Sequence, residues 1–149
     1  MVAKLRAAAA LDIDRLVGLE RACGVDERSA EAYRHELSLT WSQVLVLELP
    51  HVGVVAAAVH WIIEDEVELH WIAVHPEYRR QGLAHQLMDA VLDHARGVRA
   101  RRVLLEVRRS NTGAQALYQA HGFHAIGVRR GYYQHDGEDA IIMELLLPP

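Results

Sequence analysis

Cysteine is almost absent from this sequence: Cys23 stands alone, so no disulfide can form within the chain. That suits a reducing compartment, and a cytoplasmic location is expected. Cys23 falls in a helical pattern, where a thiol more often serves as a small core residue than as a nucleophile. Long apolar runs are missing too. Before Asp12 only Ala7 to Leu11 is apolar, too short for a signal peptide or a membrane span, and no membrane is expected. Positive charge is not in excess: the net charge is -4, which excludes a general positive field that coats nucleic acid. Repeats, low-complexity tracts and Pro/Ser linkers are lacking, so residues 1–149 are expected to form one domain.

Hydrophobic residues make up 51% of the chain, enough for a sizeable core. All the basic residues but Lys4 are arginines, concentrated at Arg79-Arg80, from Arg96 to Arg109, and at Arg129-Arg130. Acidic residues gather at Glu64-Asp65-Glu66 and Glu68. Two such poles suit a phosphorylated ligand at one and a cationic substrate at the other, although a solvated mixed surface would look the same.

Patterning predicts a first strand over Val2 to Ala7. Asp12 or Asp14 then opens a helix carrying Ile13, Leu16, Val17 and Leu19. A second helix is expected from Arg28 to Leu37 with Asp26 as its cap. Strands follow at Val44 to Leu49, Val52 to Ile63 and Val67 to Val74, joined by Pro50-His51 and by Glu64-Asp65-Glu66. Gly82 to Ala95 has helical spacing, and Val103 to Val107 reads as a buried, parallel strand. Asn111 or Thr112 caps a further helix that Gly122 stops. Phe123 to Tyr133 and Ala140 to Leu147 form a last hairpin turning at Asp136-Gly137. The order β-α-α-β-β-β-α-β-α-β-β is that of an α/β (α+β) domain, with a mixed sheet of about seven strands and four helices.

Between Val74 and Leu87 the chain runs strand, arginine-rich turn, helix. A helix N-terminus offers free N–H groups and partial positive charge to an anion, and Gly82 lets the backbone approach closely. Arg79 and Arg80 can add charge to a phosphate. A P-loop would need Lys and Ser/Thr where Leu83-Ala84-His85 stand, and a dinucleotide fingerprint would need three spaced glycines. Neither is present. An ordinary charged turn remains an equal reading of this segment alone.

The stretch Ile72-Ala73-Val74-His75-Pro76-Glu77-Tyr78-Arg79-Arg80-Gln81-Gly82-Leu83-Ala84 resembles the acyl-CoA signature of the GNAT acetyltransferase superfamily. Leu105-Glu106-Val107-Arg108, Ser110-Asn111, Ala116-Leu117-Tyr118 and Gly122-Phe123 are similar to that superfamily's second half. The tail Arg129-Arg130-Gly131-Tyr132-Tyr133 with Glu138 to Met143 resembles the ribosomal-protein alanine N-acetyltransferases. Members of this branch often carry Pro-Trp-Ser where this chain has Asp26-Glu27-Arg28-Ser29, a region that helps line the acceptor site.

The resemblance implies an acetyl-CoA-dependent N-acetyltransferase. Ile72, Ala73, Val74, Arg79, Arg80, Gln81, Gly82, Leu83, Ala84, His85 and Asn111 are its expected cofactor contacts. Its acceptor is a primary amine, such as the N-terminal alanine of a basic ribosomal protein; a lysine or small amine, or an acyl-CoA sensor without turnover, are the alternatives. Either a monomer or a homodimer is compatible.

Acetyl transfer needs an amine that loses its proton, a stabilised carbonyl oxygen and a protonated or tolerated thiolate. Glu106 interrupts an apolar strand, where partial burial raises a carboxyl's pKa, and by alternation it shares a face with Leu104 and Arg108. It reads as a base, or as a strand-end carboxylate paired with an arginine such as Arg108. Tyr118 lies on the helix face of Asn111, where a phenol can protonate a thiolate, though such a tyrosine is usually core. The resemblance assigns base and acid to this pair. An oxyanion donor is expected near Ile72 to Val74, provided strand 67–74 splays from strand 103–107. A lone carboxylate suits an α-amine better than a lysine, whose deprotonation at neutral pH costs roughly 3 kcal/mol more. His60, His70, His75 and His85 lack the helical spacing of a zinc site, so no metal is expected. A basic peptide could be drawn by Glu64 to Glu68.

Overall fold

A computed structural model describes residues 2–24 and 28–149. The elements are β1 (Lys4–Ala7), α1 (Ile13–Cys23), α2 (Ala30–Ser38), β2 (Ser42–Leu49), β3 (Gly53–Ile63), β4 (Glu66–Val74), α3 (Leu83–Gly97), β5 (Arg102–Arg108), α4 (Thr112–Ala120), β6 (His124–Arg129) and β7 (Ala140–Leu146). They form one sheet in the order β1-β2-β3-β4-β5-β7-β6. Only β4 and β5 pair in parallel, because α3 carries the chain back across the sheet between them.

The two faces of the sheet bury separate cores. On one, Leu83, Leu87, Met88, Val91, Leu92 and Ala95 of α3 pack with Tyr118 of α4 against Leu47, Val67, Leu69, Val103 and Leu105. On the other, Ile13, Leu16 and Leu19 of α1 and Tyr33 of α2 pack against Val44, Val46, Val54, Ala57 and Val59. Strand β3 is buried from Val54 to Val59 because both faces are covered, which explains its nearly unbroken apolar run.

Several local expectations change. Asp12 stands before α1, but its carboxylate accepts from the Ala9 N–H at 2.8 Å and from Arg6 at 2.8 and 2.9 Å instead of capping the helix. Ser29 caps α2, its hydroxyl accepting from the Ala32 N–H at 3.0 Å, while the expected cap Asp26 lies outside the described residues. Strand β6 ends at Arg129, not Tyr133, so residues 130–139 form a long connection instead of a tight hairpin turn. Within it Asp136 accepts from Arg108 at 2.9 Å and Gly131 donates to Asp139 at 2.9 Å, which holds the connection against the end of β5.

Candidate active site

Parallel pairing between β4 and β5 covers only Glu66–Leu69 against Arg102–Leu105. Beyond it the strands part, as the expected site required. The cause lies on the opposite edge of β4. Its ladder with β3 runs from Val59↔Trp71 to His60↔Leu69, so His70 is an extra residue, a β-bulge that bends the strand. The widening gap forms the floor of a cleft of about 1240 Å³ bounded by α3, α4 and the 130–139 connection.

The Val74 carbonyl points into this region, accepting from Arg79 Nε at 3.1 Å and Cys23 Sγ at 3.4 Å. His75 N–H instead donates back to the Val55 carbonyl at 2.8 Å. Ladder groups of an antiparallel pair alternate sides, so Ile72 and Val74 face the gap while Ala73 faces β3. The gap side of β4 therefore resembles a free sheet edge, ready to pair with an amide-bearing ligand.

At the far end, Gly82 caps α3 in a left-handed conformation, φ 78°, with no side-chain cap and no acidic residue in the first turn. The positive end of this 15-residue helix is thus left to an anion. A methyl group on Gly82 would meet no protein atom within 4 Å, so only the backbone conformation demands glycine. Arg79, Arg80, Gly82, Leu83, Ala84 and His85 all line the cleft. Gln81 is exposed and is not among the lining residues.

Asn111 lines the same cleft, and its Oδ1 accepts from the Ala114 N–H at 3.0 Å, making it the cap of α4. Tyr118, on that helix, is 6% exposed and packs at a tilt against Phe123, with ring centroids 6.0 Å apart. Burial, reinforced by nearby Tyr133, pushes its phenol pKa above the ordinary value, so the hydroxyl keeps its proton.

Glu106 lies on the face opposite the buried Leu105 and Val107, as alternation requires. Its arginine partner is not Arg108 but Arg129, from Nε at 3.2 Å. Arg108 turns instead to Asp136 and to Glu138, at 2.9 and 3.0 Å, beneath the Tyr133 ring. Tyr132 stands over this end, its pKa raised first by a hydrogen bond to Glu106.

Glu68, His70, Trp71 and Arg28 complete the cleft wall at this end. From the sequence Glu68 was named only within the acidic run that could draw a peptide, and Arg28 only within the segment the resemblance sets at the acceptor site. Trp71 was not named for the site and His70 only in excluding a metal, because a bulge is not revealed by periodicity. The acidic hairpin is largely neutralised: Asp65 and Glu66 pair with Arg101, and Glu66 also with Arg102 at 2.8 Å. Of that acidic run only Glu68 lines the cleft. Cys23 is half-buried against the α1 core and also reaches the cleft wall. Among the described residues no group of three or more His, Cys, Asp or Glu is arranged to hold a metal. No helix there is long and apolar enough to cross a membrane.

The sequence profile of the Acetyltransferase (GNAT) family matches residues 12–123. The chain belongs to this family. It is an N-acetyltransferase in a lineage of similar enzymes. An Escherichia coli K12 relative named [Ribosomal protein bS18]-alanine N-acetyltransferase is 43% identical over 104 residues, covering 68% of this chain and 70% of its own length. A Bacillus subtilis relative, given the same activity provisionally, is 35% identical over 134 residues, covering 89% and 87%. The crystal structure of the Escherichia coli ribosomal-protein-S18-alanine N-acetyltransferase superposes with a TM-score of 0.89 at 29% identity. It covers 99% of this chain and 96% of its own.

Proposed function

We propose that this GNAT enzyme transfers the acetyl group of acetyl-CoA to the N-terminal alanine of a ribosomal protein, with Glu106 as base and Tyr118 as acid. The parting of β4 from β5 carries the reading. It opens sheet-edge hydrogen bonds to the amide-rich pantetheine arm and leads to Glu106 on one side and Tyr118 on another. The uncapped start of α3, with Arg79 and Arg80, receives the pyrophosphate.

In this reading the thioester carbonyl lies by the gap-facing N–H groups of Ile72 and Val74, which stabilise its developing charge. Glu106, directly or through a water, takes a proton from the α-ammonium. The nitrogen attacks, and Tyr118 supplies the proton that the departing thiolate needs. Asn111 orients α4 rather than touching the reacting atoms. The ribosomal acceptor is supported by the relatives' names and by Glu68 and Glu106, which favour a cationic N-terminus. Such an acceptor places the enzyme in the cytoplasm.

Release of free coenzyme A should depend on a short peptide with N-terminal alanine and disappear in Glu106→Gln. Equal turnover with a peptide whose only amine is a lysine, or acetyl-CoA binding with no acceptor-dependent release, refutes the assignment.

A further inference from the structure

Acetylation of an ammonium removes two protons from nitrogen, since R–NH3+ becomes an amide N–H. The departing thiolate takes up one; the other must reach solvent. A carboxylate holds one proton at a time, so Glu106 must be emptied within the turnover. The geometry points to a relay in which Glu68 and His70 carry that proton from Glu106 to the surface. This rests on the amine acetylation proposed above.

The bulge at His70 makes the relay possible. It breaks alternation, so His70 and Trp71 fall on the sheet face that also carries Glu68 and Glu106. Glu106 is the residue next after the last β4–β5 pair, Leu69↔Leu105, which places it beside the bulge. Glu68 Oε1 lies 3.5 Å from His70 Nε2. The imidazole packs at a tilt on Trp61, with ring centroids 4.1 Å apart, and Trp61 is itself anchored by Nε1 to Glu36 at 2.7 Å.

The charged groups facing His70 are Glu68 on β4, Glu36 on α2, Arg28 before α2 and Glu106 on β5. Burial, aided by the Arg28 charge, outweighs the three carboxylates and lowers the imidazole pKa, so the ring is neutral at pH 7.

The first proton passes from the ammonium to Glu106, then through water in the shared cleft to the Glu68–His70 pair and out. The nitrogen lone pair then forms the C–N bond, and the C–S pair leaves on sulfur, which takes the Tyr118 proton. The second nitrogen proton goes to the emptied Glu106 and restores Tyr118 by way of solvent.

His70 is a positioning residue whose role is separable from packing. In His70→Phe the ring against Trp61 remains and the nitrogens are gone; in His70→Ala there is room for imidazole. Both should lower kcat with the alanine peptide by about tenfold or more, with the KM for acetyl-CoA unchanged. The acid limb of the wild-type kcat profile, set by protonation of His70, should vanish in His70→Phe. Added imidazole should restore His70→Ala in proportion to its free base. Unchanged kcat and pH profile, or a loss that imidazole does not repair, overturns the relay. Wild-type enzyme that releases no thiol with the peptide overturns the acceptor assignment itself, and the relay with it.

Discussion

Tyr118→Phe isolates one oxygen atom. The phenol is 6% exposed and packs against Phe123, so phenylalanine fills the same space and the fold should survive with little change in stability. The catalytic effect should be far larger. General acid assistance is worth about 10²–10⁴-fold, so kcat should fall at least about a hundredfold, or about 2.7 kcal/mol of transition-state stabilisation. The KM for acetyl-CoA should hardly move, because in the proposed binding mode the pyrophosphate is held by the start of α3 and not by this hydroxyl.

A leaving-group series decides whether the loss arises at the thiolate. An acetyl thioester analogue whose thiol is more acidic departs well without a proton. The gap between wild type and Tyr118→Phe should therefore shrink as leaving-group pKa falls. Burial has raised the phenol's pKa, so the wild type should show no alkaline loss of kcat from Tyr118 ionisation at pH 7–9. A loss under threefold, or one that is the same for every leaving group, refutes the acid assignment.

His60, fully buried on β3 beside His94 at 3.1 Å, has its pKa lowered to about 4, first by burial and then by its neighbour's charge. The unfolded chain takes up that proton near pH 6.5, so stability is complete above 6.5 and falls as pH drops toward 4. Urea titrations should show about 2 kcal/mol lost between pH 6.5 and 5, and a shallower loss in His60→Gln. Gly82→Ala forces a Cβ into a left-handed position at φ 78° and should cost about 1 kcal/mol by thermal melt, with no steric clash to add to it. Arg28→Leu removes the ion pair of buried Glu20 and, among the described residues, leaves it the residue-28 N–H at 2.6 Å; denaturation should register a loss of about 3 kcal/mol. The same variant removes the guanidinium 5.6 Å above Trp71 and should raise the peptide KM.

Element types and order were legible because periodicity reports which face is buried, and both cores here have regular stripes. Glu106 stood out as a carboxylate within an apolar strand, and the Gly82 turn as an arginine-rich helix start. Partners were harder. Glu106 meets Arg129, and not the adjacent Arg108, because the 130–139 connection folds back and supplies Asp136 and Glu138 to Arg108. Sequence spacing shows which arginines are near in the chain; it does not show which carboxylates reach them first. Asp12 escaped its expected role for the same reason: Arg6, on β1 across the turn from it, bound it.

The bulge explains why the cleft wall at Glu68, His70 and Trp71 was the least legible part. Alternation assigns Glu68 and His70 to one face and Leu69 and Trp71 to the other. Yet Trp71 packs with the α1–α2 core and lines the cleft beside His70. One inserted residue does both things the site needs. It bends β4 away from β5, leaving ladder groups without a strand partner, and it brings an aromatic and an imidazole to the same side of the opening. Such a distortion would be costly in a free strand, but β4 is held along its other edge by a ladder running from Ala56↔Val74 to Ile63↔Glu66. The rigid β3–β4 pair thus lets the β4–β5 pair fail locally, and the site lies where the ladder stops.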